Sequence, residues 1–147
     1  IHPGSAKGKM VNALLVGMEF QQMLPVAHNP AYTEGYEGFF HLGSMSGDES
    51  SAKLSYIIRD HDRNVFVKRK DIFKAAEAYL NAKYGEGTVT VKIRDGYFNM
   101  AEVLSDKMYI VDRAQEAMRR CGPFAAVPTV LHFLSAVCLA PISAPAV

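Results

Sequence analysis

The sequence predicts an α+β domain, and three observations carry the prediction. Two runs between residues 39 and 60 have strand character and flank the polar turn "SGDESS". A third run, "TVTVKIR", alternates apolar and polar residues without interruption. The segments around them carry apolar residues at helical spacing. A chain of 147 residues has room for one compact domain of ordinary size and not for a second.

In chain order, Ser5 is placed to cap a first helix in which Val11, Leu14, Leu15 and Met18 follow the i, i+3, i+4, i+7 rule. Asn12 falls inside that helix as a packing or solvent-facing residue, and Pro25 ends it. "HNPAYTEGYEG" is a polar, turn-rich loop. "FFHLGSM" and Lys53 to Asp60 then form a hairpin, with Leu54, Tyr56 and Ile58 on one face and Ser55, Ile57 and Arg59 on the other. A second helix runs from Asp62 to Tyr84 with Phe66, Phe73, Ala76, Leu80 and Tyr84 along one stripe, and Gly85-Glu86-Gly87 stops it. In the third strand Val89, Val91 and Ile93 face inward, and Thr90, Lys92 and Arg94 face outward. A last helix begins near Asp106 and ends at Arg119-Arg120-Cys121-Gly122, with basic residues in the final turn and glycine where a C-cap belongs.

The order α, β-β, α, β is that of a ferredoxin-like split β-α-β-β-α-β domain whose first strand is missing, with an extra C-terminal helix and an irregular tail. That first strand is internal to such a sheet. Its loss leaves unpaired backbone groups, so the chain reads as a fragment or a strand-borrowing dimer.

Composition narrows the function. Lys+Arg 16 against Asp+Glu 15 leaves no basic stripe for phosphates, which argues against nucleic acid as a partner. Cys121 and Cys138 have neither zinc-knuckle nor disulfide-framework spacing, which points to a reducing, cytoplasmic setting. The N-terminus starts at Ile1, has no signal-peptide pattern and reads as the middle of something longer. From Cys121 onward there is no Asp, Glu, Lys or Arg, yet the densest apolar part, Val127 to Leu139, is shorter than the ~20 residues a membrane span needs. Pro128 and Pro141 bracket that part, so no membrane association is expected.

"IHPGSAKGKMVNALL", "TEGYEGFFHLGSMSGD", "LSYIIRDHDRNVFVKRK", "GYFNM" and "IVDRAQEAMRRCG", in this order, resemble the peptidase T family, tripeptide aminopeptidases among the dinuclear zinc exopeptidases. The resemblance runs from Ile1 to Gly122. It implies that residues 1–103 are the lid, or dimerisation domain, of a cytoplasmic metallopeptidase, and that residues 104–122 are the helix returning to its catalytic domain. It also implies a homodimer formed through the lid and a short peptide as substrate. Two zinc ions belong to the parent enzyme, and their ligands and general-base Glu should lie in segments outside this chain, so no cofactor is expected here and the chain alone should be inactive. Such a chain would be at most a non-catalytic dimerisation module.

The resemblance also accounts for the tail. If the reading frame slipped after Gly122, each true codon joins the third base of one printed codon to the first two of the next. Pro128-Thr129-Val130, spelled CCN ACN GTN, then permits Asp-Gly, and the whole stretch permits "PIRGGTDGA-x-LSF-x-GLPCPN-x-CTGG", as the family would continue. Residues 123–147 are therefore expected to be an out-of-frame tail without a defined core position.

Two site residues follow from the resemblance. Pro3 biases His2 toward extended backbone just ahead of a helix start. The histidine of this "HPG" segment reaches across the family's dimer to hydrogen-bond the oxyanion of the tetrahedral intermediate. The arginine of "IIRD", Arg59, is placed to grip a peptide carboxylate through two parallel hydrogen bonds. Without the resemblance, His2 is a half-exposed histidine and Arg59 a surface residue paired with Asp60 or Asp62. In "RDHD", neighbouring residues point to opposite faces, so Asp60 and Asp62 alone converge, and two carboxylates are a poor zinc site. Capping of the second helix by Asp60 or Asp62 is the expected role, and no metal site is assigned.

Overall fold

The computed structural model describes residues 2–97, 105–120 and 136–145. Its elements are α1 (Ala13–Met23), β1 (Phe39–Gly47), β2 (Ser51–Asp60), α2 (Arg63–Tyr84), β3 (Thr90–Val91), β4 (Arg94–Tyr97), α3 (Tyr109–Arg120) and β5 (Ala136–Pro145). The α+β class follows directly: an antiparallel sheet carries α1 and α2 packed against β2.

Along β2 burial alternates. Ala52, Leu54, Tyr56 and Ile58 are buried under the helices, and Ser55, Ile57 and Arg59 lie on the opposite face, half-buried. From α2, Phe66, Phe73, Ala76 and Leu80 meet this face, and from α1, Ala13, Val16 and Phe20 do. The Phe73 ring sits 5.4 Å from Phe20, 5.4 Å from Phe40 and 5.1 Å from Tyr56, in edge or tilted geometries. Burial pushes the Tyr56 hydroxyl pKa up, and its proton goes to Gln21 Oε1 at 2.7 Å. Close packing of α1 requires Gly17, where a Cβ would come within 2.9 Å of Leu54 Cδ1.

Several expectations are corrected here. The first helix starts at Ala13, and its cap is Asn12, whose Oδ1 accepts from the amides of Leu14 and Leu15 at 3.0 and 3.2 Å. Ser5 belongs instead to a separate 3-10 turn, Pro3–Ser5. The buried stripe also differs from the expected one: Val16, Gly17 and Phe20 turn inward while Leu15 and Met18 stay exposed. The last helix begins at Tyr109, after a 3-10 turn at Ser105–Lys107. Its expected cap at Cys121 and Gly122 lies outside the described residues.

The tail is not irregular throughout. Ala136–Pro145 forms β5, which pairs with β2 over ten positions, from Ser51 opposite Pro145 to Asp60 opposite Ala136, and with β3 and β4 on its other side. The sheet order β1-β2-β5-β3 puts it between β2 and β3, antiparallel to both. In the split β-α-β-β-α-β order, that position and direction are those expected of a first strand. The physical reason is edge pairing: two strand edges accept an extended segment that is apolar but for Ser143. Leu131, Phe133 and Leu134 lie outside the described residues.

The third strand is also interrupted. Val91 pairs with Ile142 and Arg94 with Leu139, so Lys92 and Ile93 stand opposite Pro141 and Ala140, where no ladder forms. Proline has no amide hydrogen to donate, and the run read as one strand divides into β3 and β4 at that point. Val89 and Val91 are buried and Ile93 half-buried, as the alternation predicts.

The helices are joined to each other by Glu19. Its carboxylate accepts from Lys83 Nζ at 2.6 Å and from Tyr84 Oη at 2.6 Å, and these hydrogen bonds hold its pKa below the ordinary 4.5. A depressed carboxyl stabilises the fold above its unfolded pKa and loses that contribution as the pH falls through the lowered folded value. Both partners are partly exposed, so Glu19→Gln should cost only about 0.5–1 kcal/mol at neutral pH. Urea unfolding across the acid range should show the gap between variant and parent closing below the carboxyl range.

Candidate functional site

His2 precedes the 3-10 turn Pro3–Ser5, in extended backbone at φ −66° and ψ 129°. Its Nδ1 accepts the Gly4 amide at 3.1 Å. Because Nδ1 is an acceptor, the neutral ring carries its proton on Nε2, and the exposed side chain presents that N–H outward. His2 therefore caps a short turn of its own and not α1.

Arg59 lies near the end of β2 on the sheet face away from the helices, with its guanidinium carbon 5.7 Å from the Phe39 ring centre. Its Nε is buried and has no hydrogen-bond partner among the described residues. An orphaned buried donor costs about 1–3 kcal/mol. The alternative of a pair with Asp60 or Asp62 is not what forms. Asp60 points to the opposite face, 4% exposed, and its Oδ2 takes the Arg69 Nε–H at 2.6 Å. Asp62 caps α2, accepting from the Asn64 and Val65 amides at 2.7 and 2.9 Å. His2 and Arg59 sit on separate elements, and no contact joins them.

The arrangement around Asp60 was not singled out from the sequence. Arg69 Nη1 lies 3.1 Å from His28 Nδ1, Asp60 Oδ1 accepts the Asp62 amide at 2.9 Å, and Arg69 stacks 5.1 Å over Phe40. A cleft of about 510 Å³ opens beside this cluster, lined among others by His28, Tyr32, Tyr36, Glu37 and Asp62. Gly38 is required where loop and strand meet, because a Cβ there would collide with the Asp60 carboxylate and the Arg59 carbonyl. The signal was present in the periods: Asp60 continues the buried alternation of β2, and Arg69 falls on the buried stripe of α2 between Phe66 and Phe73. Two charges on two buried faces imply each other.

With Asp60 committed to Arg69 and Asp62 to the helix cap, the "RDHD" stretch does not fit a zinc ion. Among the described residues no group of three His, Cys, Asp or Glu converges.

Residues 1–88 match the family described as peptidase dimerisation domain. The chain belongs to that family. It is also similar to curated relatives named peptidase T. The one from Caldanaerobacter subterraneus is 48% identical over 122 residues, 83% of this chain and 30% of the relative. Those from Clostridium perfringens and Bacillus licheniformis are 51% and 52% identical, over 83% and 81% of the chain and 30% and 29% of the relative. The chain thus spans less than a third of the length of these relatives. This peptidase dimerisation domain has, among its described residues, no helix long and apolar enough to cross a membrane.

Removing one partner of the Asp60–Arg69 pair should be severe. Asp60→Ala leaves a buried guanidinium uncompensated and should lower stability by about 3–5 kcal/mol, read as an earlier denaturant midpoint at unchanged slope. Glu116→Ala on α3, which breaks its partly exposed pairs with Arg119 and Arg120, should cost less than about 1 kcal/mol in the same assay.

Proposed function

We propose that the chain is the dimerisation lid of a cytoplasmic, peptidase T-like tripeptide aminopeptidase, and that it supplies His2 and Arg59 to a peptide site. What carries this reading is the near 50% identity to peptidase T together with the match to a peptidase dimerisation domain. Residues 1–103 are the lid, and α3, within residues 104–122, leads back toward the catalytic part. The out-of-frame origin of residues 123–147 belongs to the same proposal, and sequencing the DNA across Gly122 tests it.

The lid's chemistry is binding and orientation. His2 presents Nε2–H with its other nitrogen held by Gly4, so the ring is pre-oriented to donate to an oxyanion in the partner subunit of a homodimer. Arg59 has a donor still unpaired, which suits the carboxylate of a short peptide. The two zinc ions of such an enzyme would activate water and would be held by other parts of it, since the residues here do not fit them.

Grafting this lid into the Clostridium perfringens relative tests the reading. The chimera should dimerise and cleave tripeptides. His2→Ala should lower kcat by about 10²–10³-fold, as loss of an oxyanion donor does. Arg59→Ala should act mainly on KM, raising it about 10-fold or more, as loss of uniform binding does. Unchanged kinetics in both variants would make these residues structural.

A further inference from the structure

The edge of a sheet presents amides and carbonyls that need partners, and β3 stands at the end of the sheet order among the described residues. In an antiparallel strand, alternate residues turn their backbone groups to opposite sides. Val89, just before β3, and Val91 turn theirs toward α2, and side chains of that helix meet all four groups. Asn81 Oδ1 accepts the Val89 amide at 2.8 Å, and Asn81 Nδ2 donates to the Val89 carbonyl at 3.0 Å. Glu77 Oε1 accepts the Val91 amide at 2.7 Å, and Lys74 Nζ donates to the Val91 carbonyl at 2.8 Å. Lys74 and Glu77 are themselves paired at 2.9 Å, which closes the second ring.

A carboxamide that accepts the N–H and donates to the C=O of one residue reproduces the two bonds that a facing residue makes in an antiparallel ladder. The Glu77–Lys74 pair makes the same two bonds with charged groups, which hold more strongly than neutral ones. Residues 74, 77 and 81 follow the i, i+3, i+7 rule and form one stripe along α2. One turn earlier, Lys70 continues the stripe to the Asp95 carboxylate on β4 at 3.1 Å. Each guard position follows directly after a buried one, Phe73, Ala76 or Leu80, so α2 gives one face to the core and the adjoining face to the strand edge. These bonds involve only α2 and residues 89–91, whatever strand lies on the other side of β3.

We propose that Lys74, Glu77 and Asn81 are an edge guard: they take the hydrogen-bonding place of a neighbouring strand, so that no extended segment of another chain adds to the sheet at β3. The site they cover is one for an extended peptide held by main-chain hydrogen bonds, and it opens only when these side chains are removed. For a peptidase dimerisation domain, the guard takes β3 out of the surfaces through which copies can pair strand to strand.

The experiment compares the intact chain with Glu77→Ala/Asn81→Ala by sedimentation velocity over a range of concentrations. Ala76→Gly, on the buried stripe of α2, is the control that weakens the domain without touching the guard. The double variant should form species larger than the parent's where parent and control do not, with a gain of intermolecular sheet signal in the infrared. Glu77→Gln keeps an acceptor for the Val91 amide and should match the parent. In amide hydrogen exchange, Asn81→Ala should speed exchange at Val89 by about 5- to 10-fold, the loss of one hydrogen bond, and leave Val91 protected. If circular dichroism shows the double variant unfolded, Asn81→Ala alone is read in the same association assay against the same control. Association no greater than that of Ala76→Gly, or unchanged exchange at Val89, would overturn the proposal.

Discussion

Everything described here depends on the two-residue alternation of β2. Its inward residues, Leu54, Tyr56 and Ile58, make the floor on which α1 and α2 rest, and the aromatic contacts around Phe73 follow from that floor. The same alternation sends Asp60 inward to Arg69 and Arg59 outward to Phe39. A slip of one residue would exchange these roles, burying Arg59 under the helices and exposing the core. The position of the proposed carboxylate grip and the stability of the domain are therefore one constraint.

Where local chemistry alone decides an element, the sequence was readable. Asp62 caps α2, the stripe from Phe66 to Leu80 packs inward, and the hairpin turn closes around Asp48, which accepts the Ser50 and Ser51 amides at 2.8 and 3.0 Å. The reading failed where two local signals competed or where the partner lay far along the chain. Ser5 and Asn12 are both good caps, and the apolar spacing of Val11, Leu14, Leu15 and Met18 competes with that of Ala13, Val16 and Phe20, which is the stripe that packs. The break in "TVTVKIR" falls opposite Pro141, far along the chain, so nothing in those residues themselves announces it.

The candidate site divides in the same way. That Arg59 would face away from the helices follows from period two, while the orphaned Nε emerges only once Asp60 and Asp62 are seen to be committed elsewhere. The tautomer of His2 depends on a turn too short to announce itself in a periodicity. The buried cluster of Asp60, Arg69 and His28 joins three segments, and only its first two members stood on recognisable stripes.

The central position of β5 also has a consequence for the timing of folding. During synthesis β2 is complete long before Ala136 is made, and at about 5–20 residues per second its inner edge waits several seconds for a partner. The hairpin, α2 and the Phe73 cluster involve near neighbours and can assemble in that interval, but the sheet closes only through contacts of long sequence separation. Any chain in which β5 has not yet docked carries an exposed strand edge, and that state, more than the finished fold, is open to aggregation and to chaperones.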